Sequence, residues 1–573
     1  FRRLLSQIYA DTTPPTASVN STGGSFSSAQ TVRVTCSDNI ACNAIAYTLD
    51  GSTPNFSGNG TVLAGGTGDI TISSSGTLRY VVRDANGNVS TIGGPVAFTI
   101  DGSYQSNTGT AVWAKSTTQA SGLTYFTAVA TDSAGNYYAV GYQGTGIYGY
   151  DTGITVDTGN SGPTTPILVK YNSSGQAQWA RTAHSGSGSS FYKGVAIDAN
   201  GNIYVVGYQY GNDTYSYGGS ASVTGAFGGG DNALVVKYDS AGNGLWARST
   251  TSAAGISQFN GVAIDSAGNI YAVGYQYGNS SYSYASGVST SGYYNPGNNG
   301  VVVKYDGNGN AIWARSTTAA SNFSRFDGVA VDTLGSVLVV GFQQNNGAFD
   351  YSAGVSVSGP YGSGSNGVVI KYDSDGTAIW ARTATAGTNK TRFYGVAADN
   401  SNNVYVCGEQ NGAGSYTYGV GVTASGDYAG TNMVVVKYDS AGTAQWARST
   451  VSAGSDSGCR SLVVDSAGNI FAAGYQDRNG TYTYGGTASA TGDFASGANA
   501  VLVKYDSSGL GIWARSTTYA NNRSEFYGAA VHSSGRIVSV GYQYQDGIFT
   551  YGTGVSVSGV YPAYENAVIV EYE

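Results

Sequence analysis

All seven tryptophans of this chain stand in one context, Trp-Ala followed by Arg or Lys, at Trp113, Trp179, Trp246, Trp313, Trp380, Trp446 and Trp513. The gaps between them are 66 or 67 residues throughout. Self-similarity at a fixed period means a repeat architecture, in which each unit buries its apolar face only by packing on its neighbours. The 573 residues are also too many for one ordinary core.

Each period holds four strand-like segments and two tight turns. In the second repeat the segments read "GVAID", "NIYVVGYQ", "ALVVKYD" and "LWARST", with period-2 alternation or β-branched runs. The turns, "DANGN" and "DSAGNG", are Asp-x-x-Gly, where Asp caps its own turn and Gly takes the left-handed region. The first-turn glycine is Gly135, Gly201, Gly268, Gly335, Gly468 and Gly535, and in the fifth repeat its place is taken by Asn402. Asn tolerates that region best after Gly, so the exchange points to a backbone constraint and not to chemistry.

Four antiparallel strands seven times over predict an all-β chain with a seven-bladed β-propeller of four-stranded blades over residues 111–573. The chain enters the array at "AVWAKST", a fourth strand, and leaves at "NAVIVEYE", a third strand. The seventh blade is expected to combine the two ends, so that an N-terminal outer strand closes the ring and covers an edge open to aggregation. The segments quoted resemble those of the bacterial β-propeller repeat family, and the resemblance spans every repeat. It implies the fold and an extracellular bacterial protein, with no particular activity.

Residues 11–101 differ in texture. Short alternating stretches, "TVRVTCS", "AIAYTLDG", "TLRYVVRDANGN" and "VAFTID", are separated by turn signals, as in an Ig-like β-sandwich. "DTTPPTASV", "YTLDGSTP" and "VVRDANGNVS" resemble the Ig-like domain found at the C-terminus of chitobiases and in bacterial surface proteins. The resemblance implies a spacer. "GSYQSNTGT", residues 102–110, reads as a linker. Residues 1–10, "FRRLLSQIYA", form an arm whose Phe1, Leu4, Leu5, Ile8 and Tyr9 are a lot of apolar area for a free tail. The arm is expected to dock, either on its own Ig-like domain or on a neighbouring copy by strand addition or groove filling. A chain that begins with Phe1 is also expected to have had its N-terminus processed.

Charged residues make up 10% of the chain, against ~25% in an average domain, and the net charge is −8 with no basic run. This argues against nucleic acid and anionic membrane as partners. No apolar run reaches the length of about 18 residues needed to span a bilayer, so no membrane insertion is expected.

Candidate chemistry is sparse. His184 lies in a loop, and His532 stands where the other repeats carry Asp132, Asp198, Asp265, Asp332, Asp399 and Asp465, so it reads as a drifted turn residue. No metal-ligand spacing joins the two. No catalytic residue, cofactor or metal is expected. The basic residue after Trp-Ala (Lys115, Arg181, Arg248, Arg315, Arg382, Arg448, Arg515) and the lysine of "VKY" (Lys170, Lys237, Lys304, Lys371, Lys437, Lys504, replaced by Glu571) read as blade-edge groups that pair with acids or snorkel.

Each repeat has a Gln at the end of its second strand, then a long insertion with an aromatic-x-Tyr pair. The pairs include Tyr148/Tyr150, Tyr215/Tyr217, Tyr282/Tyr284, Tyr416/Tyr418 and Tyr482/Tyr484. The spacing puts both rings on one face of a strand. They either pack an extra ribbon onto the blade or stack sugars along a tyrosine-rich rim, which makes this rim the candidate binding surface.

Cys36 and Cys42 bracket "SDNIA" and can close a small disulfide, with two free thiols as the alternative. Cys407 and Cys459 replace Val and Phe of other repeats in adjacent blades, which suggests a disulfide between blades and an oxidising compartment. The expectation is a non-catalytic structural protein, secreted or at the cell surface, assembling with copies of itself into a filament or layer. The alternative is an adhesin or lectin that binds glycans or surface proteins through the tyrosine-rich insertions.

Overall fold

The computed structural model describes residues 11–20, 24–26, 30–72, 74–100, 108–159 and 162–573. Among them every regular element is a β-strand and no helix occurs. The chain divides into two compact units, Phe1–Ser106 and Asn107–Glu573.

The smaller unit is Ig-like, and its described residues form two sheets. One has three strands, Thr16–Val19, Gln30–Ser37 and Thr67–Ile72; the other has five, Gly24–Phe26, Gly93–Ile100, Gly76–Asp84, Cys42–Thr48 and Thr61–Ala64, in those orders. Alternation decides which side chains enter the core. In "TVRV", Val32 and Val34 are buried while Arg33 stays outside and pairs with Asp69 across the strands at 2.7 Å. Ile45, Ile70, Leu78, Val82 and Phe98 complete that core. Cys36 and Cys42 are disulfide-bonded, tying one sheet to the other.

The described residues of the larger unit form seven four-stranded antiparallel sheets, besides smaller ones. The second comprises Ser190–Ile197, Ile203–Tyr210, Asp231–Tyr238 and Gly244–Ser249, paired in chain order. The run of residues 233–236 in its third strand is apolar without interruption because both faces are covered. Leu234 and Val236 pack with Val140 and Leu168 of the first sheet, while Val235 between them packs with Val301 and Val303 of the third. The seventh sheet joins Ser524–Val531, Ile537–Tyr544 and Glu565–Tyr572 to Ala111–Ser116 from the start of the unit. Ala114 lies opposite Val570 and Trp113 opposite Glu571. Thr110 and Glu573 exchange backbone hydrogen bonds at 3.0 and 2.9 Å.

The first strand of each sheet packs on the first strand of the next, and Ser524–Val531 packs on Thr124–Thr131. Glycine permits this approach. A Cβ on Gly328 would stand 2.4 Å from the Tyr394 carbonyl oxygen.

The recurring "KYDSAGNGLWARST" explains how neighbouring sheets hold together. Asp239 Oδ1 accepts from the backbone N–H groups of Ala241 and Asn243 at 3.0 and 2.8 Å, and Gly242 turns the chain with φ +81°. Asn402 takes the same left-handed region with φ +62°. In the same hairpin, Trp246 lies on the turn of the next sheet, so close that a Cβ on Gly309 would be 3.0 Å from the indole. Arg248 donates to the carbonyls of Gly309 and Asn308 at 2.9 and 3.0 Å, and Lys237 donates to that of Gly307 at 3.0 Å.

The basic residues therefore reach backbone carbonyls of the neighbouring turn more than the acids expected of them. Lys371, on Asp332 at 2.8 Å, is a case that does pair with an acid. The same clamp runs from Trp513 and Arg515 to Gly109, with Arg515 donating to the Gly109 and Thr108 carbonyls at 3.0 and 2.6 Å. Cys407 and Cys459 are disulfide-bonded and join the fifth sheet to the sixth.

Candidate functional site

The long insertions do form extra ribbons, as small sheets apart from the four-stranded ones. The ten tyrosines expected to form a binding rim are buried. Tyr148, Tyr150, Tyr215, Tyr217, Tyr282, Tyr284, Tyr416, Tyr418, Tyr482 and Tyr484 are at most 2% exposed, so no ligand can stack on them. Both rings of each pair share a face, as the spacing requires, and that face is turned onto the sheet beneath. Tyr150, Tyr217, Tyr284, Tyr418 and Tyr484 donate to Gln143, Gln209, Gln276, Gln410 and Gln476 at 2.6 to 3.2 Å. The repeated Gln is thus the buried acceptor that lets a phenol enter an apolar layer. The arm residues Phe1, Leu4, Leu5, Ile8 and Tyr9 lie outside the described residues.

A cavity lies elsewhere. It holds about 610 Å³ and is lined by the first strands of all seven sheets. Those strands are similar, but two positions change from sheet to sheet: Tyr125, Phe191, Gln258, Arg325, Arg392, Gly458 and Glu525, and, two residues on, Thr127, Lys193, Asn260, Asp327, Tyr394, Arg460 and Tyr527. The second set lines the cavity in all seven sheets. In every sheet the pairing with the second strand skips the residue of that set, a β-bulge. A bulge re-aims the extra side chain, and here it aims seven of them at one cavity.

The charges on this wall form two networks. In the first, Lys193 Nζ donates to Gln258 Oε1 and Asn260 Oδ1 at 2.6 and 3.1 Å, and Gln258 donates to Asp231 at 2.5 Å. Arg325 pairs with Asp327 Oδ1 at 2.6 Å. The Asp327 side chain is 7% exposed, and its Oδ2 has no hydrogen-bond partner. In the second network, Arg460 lies between Glu525 and Glu409, at 2.7 and 3.6 Å, and over the rings of Tyr394 and Tyr475. Tyr394 donates to Glu409 at 2.8 Å and Tyr527 to Glu525 at 3.1 Å.

Burial pushes the Lys193 ammonium down to about 7; the nearby Arg325 adds to this, and Asp327 and Asp231 oppose it. Burial likewise raises Asp231, against the hydrogen bond from Gln258 and the charge of Lys193. Sequence reasoning missed this site. The signal was there in the variable residue just before the Gly-Val or its equivalent, but each copy read alone looks like an ordinary exposed strand position.

Among the described residues, one group could hold a metal ion: the carboxylates of Asp11, Asp38 and Asp84 in the smaller unit, whose oxygens lie within 4.8 Å of one another. The three lie far apart in the sequence, which is why no spacing showed them.

Known proteins bear on the smaller unit first. Residues 21–93 match the family model of the chitobiase/beta-hexosaminidase C-terminal domain. The two sheets of the smaller unit are those expected of the Ig-like resemblance. Over 154 residues the chain is 33% identical to an uncharacterized WD repeat-containing protein of Acanthamoeba polyphaga mimivirus. The stretch is 26% of this chain and only 11% of that protein's length.

Two solved structures show distant likeness. One is the extracellular domain of a protein described as a hybrid two component system of B. thetaiotaomicron, with TM-score 0.28 and 10% identity, covering 78% of this chain and 54% of that one. The other is a mutant of the Synechocystis apocarotenoid oxygenase, with TM-score 0.34 and 9% identity, covering 81% and 97%. Likeness at this distance carries no argument about fold or activity.

Proposed function

We propose that residues 111–573 form a closed seven-bladed β-propeller in an extracellular, non-catalytic binding protein, with its ligand site in the cavity between the seven first strands. The single observation that carries the reading is the bulged position, where similar repeats diverge and all seven side chains line one cavity. Closure is supported by the pairing of Ala111–Ser116 with Glu565–Tyr572 and by the clamp from Trp513 to Gly109. Two disulfides support an oxidising location. Binding is favoured over catalysis because Glu409 and Glu525 are held by Arg460, and Asp327 by Arg325.

The test is thermal-shift screening of a mixed library of saccharides, peptides, nucleotides and carboxylic acids, against the protein and an Asn260→Phe variant that fills the cavity. Hits lost in the variant are expected. A library without hits, or hits that persist in the variant, contradicts the reading. Assembly through residues 1–10 is a separate proposal, compatible with this one and carried by the apolar content of that arm. Electron microscopy before and after removing the arm should show filaments or layers that disappear; monomers throughout contradict it.

A further inference from the structure

We propose that this cavity takes a neutral saccharide, its C–H face against an arc of aromatic rings and its hydroxyls on Asp327, Asn260 and Lys193. The inference rests on the cavity being a binding site and names its ligand class.

Three observations lead there. First, Asp327 Oδ2 is an acceptor without a donor, on a side chain that is 7% exposed and lines the cavity. Buried acceptors are almost always satisfied, so a ligand hydroxyl is the fitting partner. Asn260 and Lys193 stand beside it, offering an amide and an amine, the mixed donors and acceptors that a diol edge uses.

Second, the field of the wall is balanced. Lys193, Arg325 and Arg460 face four carboxylates, Asp231, Asp327, Glu409 and Glu525. There is no excess positive charge to hold a phosphate or an acidic group. Glu409 and Glu525 are taken up by the fork of Arg460, so they are not free for a ligand cation.

Third, Tyr394 and Tyr527 put aromatic rings on the cavity, and a row of further rings continues from Tyr527. From Tyr527 on the cavity the rings run to Tyr125 at 5.2 Å, Tyr142 at 5.2 Å, Phe191 at 4.5 Å and Tyr208 at 4.8 Å. Tyr125, Tyr142, Phe191 and Tyr208 are only half-buried, unlike the tyrosines of the ribbons. A sugar ring is apolar on its C–H faces and polar at its edge, which matches a cavity lined by the rings of Tyr394 and Tyr527 together with the hydrogen-bonding groups of Lys193, Asn260 and Asp327. The volume of about 610 Å³ lies within the range of small-molecule pockets.

The experiment is titration calorimetry with cellobiose, maltose, lactose and N,N′-diacetylchitobiose, alongside a neutral tetrapeptide pool, on the full chain and on its Asp327→Asn and Tyr125→Leu variants. At least one disaccharide is expected to bind, about tenfold or more weaker in each variant. Saturation-transfer NMR on the unaltered protein, irradiating aromatic protons, is expected to mark one face of the sugar, and this holds even if a variant does not fold. Peptide binding that the same substitutions abolish would overturn the ligand class and leave the cavity reading standing. Disaccharide binding untouched by both variants, or no binding of any probe, would overturn both.

Discussion

Lys193 is a residue whose setting departs far from its ordinary chemistry. Its ammonium is pushed down to about 7 in the folded chain, against about 10.4 when unfolded. Below about pH 7 both states hold the proton. Between about 7 and 10.4 the unfolded chain holds a proton that the folded one has released, so stability rises with pH across that window. The stability of the protein relative to a Lys193→Met variant should therefore grow as urea unfolding is repeated from pH 7 to pH 10. A flat difference would show that Lys193 keeps its ordinary affinity for protons.

Asn402 offers a second test at this scale. With φ +62° and a side chain that accepts from the Thr333 backbone and hydroxyl at 3.0 and 2.7 Å, it holds a turn that Ala would strain. Asn402→Ala should cost about 1–2 kcal/mol in urea unfolding. These two residues were unequally legible in the sequence. Asn402 stood in a column of glycines, and only a backbone argument explains that pairing of residue types. Lys193 stood in a column where each of its neighbours differs, and no local pattern says that such a column faces a cavity.

Among the elements, the Trp-Ala-Arg strand does the work of holding sheets together. Arg248 spends its donors on two carbonyls of the next turn, and its guanidinium lies 5.1 Å from the Trp246 ring. Arg248→Met keeps the stem and removes the donors, and should cost about 1–2 kcal/mol by the shift of the urea midpoint. An unchanged midpoint would mean that the stacked indole alone fastens the turn. The repeat made the strand and its turn readable, yet not the partner, because a carbonyl some sixty residues onward has no signature in side-chain identity.

The ribbons taught the converse. Their aromatic-x-Tyr spacing correctly placed two rings on one face, but spacing is silent on whether that face meets solvent or a sheet. The Gln at the end of the second strand was the missing clue, since a buried phenol needs an acceptor.

At the scale of the whole molecule, the disulfide between the fifth and sixth sheets closes a separation of 52 residues. Replacing it with Cys407→Val and Cys459→Ala should lower the stability of the larger unit by about 2–4 kcal/mol and leave a larger unit whose unfolding no longer responds to reductant. An equal response to reductant in both proteins would place the sensitivity at Cys36 and Cys42 instead. The cysteine pairs, the seven-fold period and the Ig-like unit were legible because each is written as a departure from, or a recurrence of, a local pattern. The cavity was not, because it exists only once seven distant strands are brought together.

That convergence depends on the two ends of the larger unit meeting in one sheet, and hydrogen–deuterium exchange measures it directly. Peptides covering Ala111–Ser116 should exchange as slowly as those covering the equivalent strand Gly511–Ser516, which lies within an unbroken repeat. Exchange of Ala111–Ser116 at the rate of an unpaired chain would contradict the closed seven-sheet account and the cavity that rests on it.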